Sequence, residues 1–219
     1  TQQTYNSGAV MMDRNLGALN MIPGDYGSWG LKYQWGRKDP FVGGLYSGWD
    51  RAFTAPSDAI RYEYYNSSTD TMENAVKNPA VVYNDARWGD ATNLWSYKKT
   101  KYDPCPAGWR ISDFAAWEGL DNWSLCQDYL TAYTPTSTVY FPTAGYSDGA
   151  EYIDNLNSGA YFWLTEYRRY IDMYWDRTPY MDWSRDVDYL HSVRCMKDDP
   201  DKNGDNEDYT EGDDYEWND

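Results

Sequence analysis

Between Tyr161 and Tyr189 the chain sets ten aromatic residues in 29 positions, interleaved with six acids and four arginines. Tyrosine and tryptophan supply rigid, amphipathic contact area, and Arg and Asp add directional polar contacts. That mixture suits ligand recognition. The candidate contact residues are Tyr167, Tyr170, Asp172, Tyr174, Trp175, Asp176, Tyr180, Asp182, Trp183, Asp186 and Asp188. Strand alternation places Tyr170, Asp172, Tyr174 and Asp176 on one parity and Ile171, Met173 and Trp175 on the other. The expectation is that the second set is buried and the first faces out. The alternative is a strand pair whose aromatics only pack the core, with Arg–Asp pairs toward solvent.

A second pattern is Asp199-Pro-Asp201-Lys-Asn203-Gly204-Asp205. Oxygen-bearing side chains at alternate positions, followed by glycine, are how a calcium loop wraps a hard cation. Asp199, Asp201, Asn203 and Asp205 are the candidate ligands and calcium the candidate cofactor. The match fails further on. Thr210 stands where a bidentate Glu is expected, Glu211 comes one place late, and no flanking helices are evident. The alternative is a solvated acidic end: Asp198 to Asp219 holds eleven acids and one base.

Other chemistry is poorly supplied. There is one histidine, His191, and three cysteines, Cys105, Cys126 and Cys195, with no CxxC pair. A Cys/His zinc site is therefore excluded in practice, and a cysteine nucleophile has only His191 as a base. An exported protein with one disulfide and one free thiol fits the count. Cys105 and Cys195 lie in the two most motif-like segments and are the expected pair; three reduced thiols is the alternative. Acids are plentiful, but no motif isolates a carboxylate pair for glycoside hydrolysis.

The elements that must hold these residues are short. A strand is expected at Ala9–Met12 and another around Tyr33 and Trp35. A capped helix is expected over Thr69–Lys77, with Thr69 or Asp70 as cap and Asn78-Pro79 as stop. The segments 42–68 and 80–100 look like loop. Ser112-Asp113 caps the clearest helix, with Phe114, Trp117 and Leu120 at helical spacing. Strands follow at Ser137–Pro142, in a hairpin-like stretch through Gly145 and Gly159, and at Leu190–Met196. Few short helices, short strands and long ordered loops argue for an α+β fold in one domain, 1–197, with an acidic tail, 198–219.

The 219 residues suffice for a real core. The net charge of −16 argues against nucleic acid or an anionic membrane surface as partner, and no apolar run could insert into a membrane. The opening Thr1-Gln2-Gln3 shows no signal peptide, so a processed or excised piece is expected.

Four blocks, in order, resemble a known family. They are Met12-Asp13-Arg14-Asn15-Leu16-Gly17-Ala18, Tyr33-Gln34-Trp35-Gly36-Arg37-Lys38-Asp39-Pro40-Phe41, Tyr102 to Arg110, and Ser192-Val193-Arg194-Cys195. They resemble the FISUMP (Fibrobacter succinogenes major paralogous) domain. Phe141 to Tyr146 and Tyr161-Phe162-Trp163 resemble two further blocks of it. The resemblance implies a C-type lectin-like fold and a place at the end of exported fimbrial or pilus-tip adhesins of Bacteroidetes-type bacteria, with no general enzymatic activity. The segment between Phe162 and His191 departs from the family pattern. Its Tyr and Asp positions, ending just before a constant-looking block, resemble the variable region of proteins rewritten by diversity-generating retroelements.

The function expected is a non-catalytic, extracellular ligand-binding module at a cell surface, with its binding face in 161–191. Its partners would be a host or microbial surface glycan or protein, and other pilus subunits through the region before residue 1. The alternatives are a structural fimbrial subunit and a carbohydrate-active enzyme.

Overall fold

The computed structural model describes residues 2–41, 61–64, 66, 69–84, 94–120, 124–126, 129–134, 137–147, 153–174, 180–182 and 188–199. Among these residues the strands are β1 (Gln2–Thr4), β2 (Val10–Met12), β3 (Tyr33–Gln34), β4 (Arg61–Tyr64), β5 (Val81–Asn84), β6 (Trp109–Ile111), β7 (Ser124–Cys126) and β8 (Tyr129–Tyr133). They continue with β9 (Thr138–Pro142), β10 (Ala144–Tyr146), β11 (Asp154–Leu156), β12 (Gly159–Trp163), β13 (Tyr170–Tyr174), β14 (Tyr180–Asp182), β15 (Leu190–His191) and β16 (Cys195–Lys197). One α-helix, α1 (Met72–Lys77), has six residues, and two 3₁₀ turns have three and four. The α+β, lectin-like class expected from sequence is therefore corrected. The described chain is a β-rich fold in several sheets with very little helix. No helix among the described residues is long and apolar enough to cross a membrane.

The helix expected after Ser112 shows why. Asp113 does cap it, accepting from the Ala116 amide at 3.0 Å. The turn stops at Trp117 as a 3₁₀ element, and Gly119 then takes φ +72°. A left-handed glycine ends a helix rather than continuing it. Trp117 and Leu120 are buried all the same. The other helix is capped by Thr71, not by Thr69 or Asp70: its hydroxyl accepts from the Asn74 amide at 3.2 Å. The expected loops hide the parallel pair β4–β5, and the expected last strand divides into β15 and β16, which join different sheets.

Three sheets frame the centre. One runs β1–β2–β16–β6, so the first and last described strands share it. A second runs β11–β10–β12–β13–β14, and a third is the meander β7–β8–β9. Strands β12 and β13 are buried on both faces. On one face Tyr161, Trp163 and Tyr170 join Trp35, Trp95, Val193 and the cysteine pair in a single cluster. On the other face Phe162, Ile171 and Met173 join Trp117, Leu130, Phe141 and Tyr5. Trp117 stacks on Phe162 with centroids 5.1 Å apart.

Polar anchors lock this frame. Cys105 and Cys195 form a disulfide, with Cα atoms 5.9 Å apart. Beside it, the Asp103 carboxylate accepts from the Cys105 amide at 2.8 Å and the Ile111 amide at 3.0 Å. The buried Arg194 guanidinium donates to Asn15 Oδ1 at 2.8 Å and to the Met12 and Tyr140 carbonyls, each at 3.2 Å. Its Cζ lies 5.0 Å from the Phe141 ring centroid. Arg37 donates to the carbonyls of Ala75, Pro79 and Val81, tying the end of α1 to the loop after β3. Both terminal nitrogens of each guanidinium find acceptors in this way, which offsets much of the cost of burying the charge.

Candidate functional site

The hairpin β12–β13 supplies the scaffold of the candidate site. Its register pairs Trp163 with Tyr170, Tyr161 with Asp172, and Gly159 with Tyr174. Directly opposed residues share a face, so Tyr161, Trp163, Tyr170, Asp172 and Tyr174 lie together. Strand β14 extends the sheet, with Tyr180 opposite Asp172 and Asp182 opposite Tyr170 in register.

This face does not point wholly outward, and the sequence expectation for it is corrected. Tyr170 is fully buried and Asp172 is 5 % exposed, while Ile171 and Met173 are buried behind them. The cause is a lid from the end of the chain. The buried His191 ring stacks on Tyr170, with centroids 4.7 Å apart and planes at 23°, and lies 4.2 Å from the Trp163 centroid. Tyr146 meets Tyr161 edge-on at 4.7 Å and Tyr189 at 5.6 Å. Backbone bonds from Ser192 to Tyr161 and from Trp163 to Ser192, both 3.0 Å, hold this lid down.

Exposure then grows toward one end of the face. Tyr174, Asp188 and Tyr189 are half-buried. The transition is built from polar aromatics. Asn155 Nδ2 donates to the Tyr161 hydroxyl at 2.7 Å. Asn155 takes φ 53°, a left-handed conformation that Asn tolerates better than most residues. Asn157 and Arg168 are the other non-glycine residues with positive φ among the described residues, so all three flank β12. Gly159 is required here: a Cβ would sit 2.7 Å from a Tyr161 ring carbon and 2.9 Å from its hydroxyl. Burial holds that hydroxyl well above the usual phenol range, and the nearby Asp172 charge adds to the effect. Tyr161 thus stays a neutral phenol, able to donate its own proton while Asn155 donates to its oxygen.

Of the residues expected to bind, Tyr167 is half-buried elsewhere, edge-on to Trp35 at 5.0 Å, where it packs against the first core cluster. Tyr170 and Asp172 support the face rather than present it. Tyr174 lies at its open end, and Asp188 is half-buried next to Tyr189 in sequence. Trp175, Asp176, Trp183 and Asp186 lie outside the described residues, as do the side chains of Tyr180 and Asp182. Sequence reasoning missed Tyr146, Asn155, Tyr189 and His191. Tyr189 stood at the very edge of the aromatic run, but nothing local signalled that Tyr146 and Asn155 pack on it.

Of the calcium pattern, Asp199 alone is described; Asp201, Asn203 and Asp205 lie outside the described residues. Among the described residues no group of three or more His, Cys, Asp or Glu could hold a metal ion. The arrangement at the open end of the face can therefore do one kind of chemistry well: fixed tyrosine rings, an amide and carboxylates make contacts by stacking and hydrogen bonding. Comparison with known proteins found no matching family model, no matching curated protein and no matching solved structure.

Proposed function

We propose that this chain is a non-catalytic ligand-binding module, displayed at a cell surface as the receptor-binding end of an adhesin. Its binding face is the open end of the β12–β13–β14 sheet. One observation carries the proposal: on a single face the side chains run from fully buried Tyr170, through Asp172, to half-buried Tyr174, with half-buried Tyr189 packed nearby against Tyr146 and His191. Rigid inner rings pre-organise the outer ones, which lowers the entropy lost on binding. The disulfide supports export, because such bonds persist in oxidising compartments. The resemblance to FISUMP domains supports the adhesin assignment.

Binding screens of the whole chain on glycan and protein arrays test the proposal, with a Tyr174→Ala/Trp175→Ala variant alongside. Wild type binds a ligand class that the variant loses by at least tenfold. Equal binding by both places the face elsewhere.

The same gradient sharpens the proposal of retroelement diversification. Residues 161–165 and 170–173 are buried and leave little room for substitution, so variation belongs outside those two stretches, at 166–169 and from Tyr174 onward. Deep sequencing of the gene across a grown population reads this directly. Substitutions concentrated at 166–169 and 174–189 and sparse at 161–165 and 170–173 support it, and uniform low variation removes it.

A further inference from the structure

The Lys32 side chain is buried, and its ammonium group finds two acceptors among the described residues. One is the Gly145 carbonyl, and the other is the Ser192 hydroxyl, at 3.1 Å. Gly145 immediately precedes Tyr146, and Ser192 immediately follows His191. Tyr146 and His191 are the rings that cover the aromatic face, with centroids 5.7 Å apart. Each acceptor of the lysine is thus the chain neighbour of one covering ring.

The two halves of this lid also meet through their backbones. Leu190 donates to the Ser147 carbonyl at 2.8 Å, and Ser147 donates back to the Leu190 carbonyl at 3.1 Å. Tyr33, the residue after Lys32, pairs with His191 in register, and its carbonyl accepts from Trp163 Nε1 at 2.7 Å. The backbone beside Lys32 is therefore fastened both to the lid and to the face beneath it.

Burying an ammonium group is costly, and an apolar side chain would fill the space without that cost. What the lysine adds is direction. Its N–H groups fix the Gly145 carbonyl and the Ser192 hydroxyl at a set separation, and so fix one half of the lid against the other. Tyr146 carries this outward, because the half-buried Tyr189 ring packs on it with centroids 5.6 Å apart. We propose that Lys32 is a positioning residue for the aromatic face: it sets the lid of Tyr146 and His191 from within, and through Tyr146 the ring of Tyr189, without touching a ligand itself. The inference deepens the reading of this face as a binding surface and rests on it for the effect on affinity.

Amide hydrogen exchange in the isotope-labelled whole chain, with no ligand added, tests the assignment. It reads lid opening at the Ser192 and Trp163 amides, whose bonds hold the lid down. Ser192→Ala removes one hydroxyl and leaves those backbone bonds in place; Lys32→Met removes both tethers. Each variant is expected to lower protection at Ser192 and Trp163 by about tenfold, while the amides of β8 and β9 keep theirs. The double variant is expected to fall no further than Lys32→Met alone, because the two residues act through one bond. Unchanged protection, an equal loss in β8 and β9, or additive losses overturn the assignment. Wild type and Ser192→Ala are then compared on the glycan and protein arrays, where affinity is expected to drop about fivefold. An affinity that Ser192→Ala leaves unchanged overturns the effect on binding. Arrays on which wild type binds nothing count against the binding face instead, and the exchange result alone then decides the role of Lys32.

Discussion

Lys32 Nζ donates to the Ser192 hydroxyl at 3.1 Å in the interior of the protein, where both side chains are buried. Its other acceptor is the Gly145 carbonyl. Among the described residues no carboxylate shares the bond, and burial pulls the ammonium down from 10.5 to about 7. The lysine joins three segments at this point: the residue preceding β3, the middle of β10 at Gly145 and the segment between β15 and β16 at Ser192.

A pH dependence of stability follows. Below pH 7 both folded and unfolded chains carry the Lys32 proton. Between pH 7 and about 10.5 the unfolded chain alone carries it, so stability rises with pH across that window. Tyr5, Tyr33 and Tyr161 act in the opposite sense. Burial raises each hydroxyl, that of Tyr5 to about 12, so above pH 10 the unfolded chain alone ionises and stability falls. Urea midpoints from pH 6 to 11 are expected to climb and then drop. Lys32→Met is expected to flatten the climb and keep the drop; an unchanged climb contradicts the assignment.

Reduction of Cys105–Cys195 opens a loop with a sequence separation of 90. In the chain-entropy account a loop of this size contributes about 4–5 kcal/mol. Calorimetry with and without reductant, and on a Cys105→Ala/Cys195→Ala variant, is expected to show a lower Tm in both cases. A Tm unmoved by either treatment contradicts the pairing.

The two-sided burial of β13 separates neighbours that share a parity. Tyr170→Ala removes a fully buried ring and is expected to cost about 3–5 kcal/mol. Tyr174→Ala, at a half-buried position, is expected to cost about 1 kcal/mol or less and to act on binding instead. Denaturant unfolding of the two variants distinguishes this from a strand whose whole parity faces water, where the two costs would be similar.

Gly159→Ala tests the placement of Tyr161. The added methyl collides with the Tyr161 ring and its hydroxyl, so the ring must move off Asn155. Ligand affinity at the aromatic face is expected to fall at least fivefold, with only a modest loss of Tm. An affinity unchanged from wild type would detach Tyr161 and Asn155 from the site.

Much of the strand pattern was legible in the sequence because it is local. Val10–Met12 and Thr138–Pro142 carry the apolar and β-branched residues of strands, and both are strands. The parity argument for 170–174 found the strand but misjudged its surroundings. Alternation reports which residues share a face, not whether the second face is covered. Here the cover comes from His191 and Tyr146, which are distant from β13 in sequence and carry no local signal. The helix at Phe114 failed for a similar reason: Phe114, Trp117 and Leu120 keep helical spacing, yet one left-handed glycine and burial of Trp117 against Phe162 settle the backbone as a 3₁₀ turn. Within the candidate site, Tyr174 was visible as a type in a run. Asn155 was not, because its role rests on a backbone conformation and one bond to Tyr161.

The sheet β1–β2–β16–β6 has a mechanical meaning. Met196 pairs with Met11, and Cys195 is bonded to Cys105 immediately beside that pairing. A pull applied at Gln2 and Lys197 is taken up by the hydrogen bonds of this one sheet and by the covalent link next to it. The tyrosine face on β12 and β13 lies outside that line of force. Tension between those two strands therefore reaches β12 and β13 only once that pairing and the disulfide have given way.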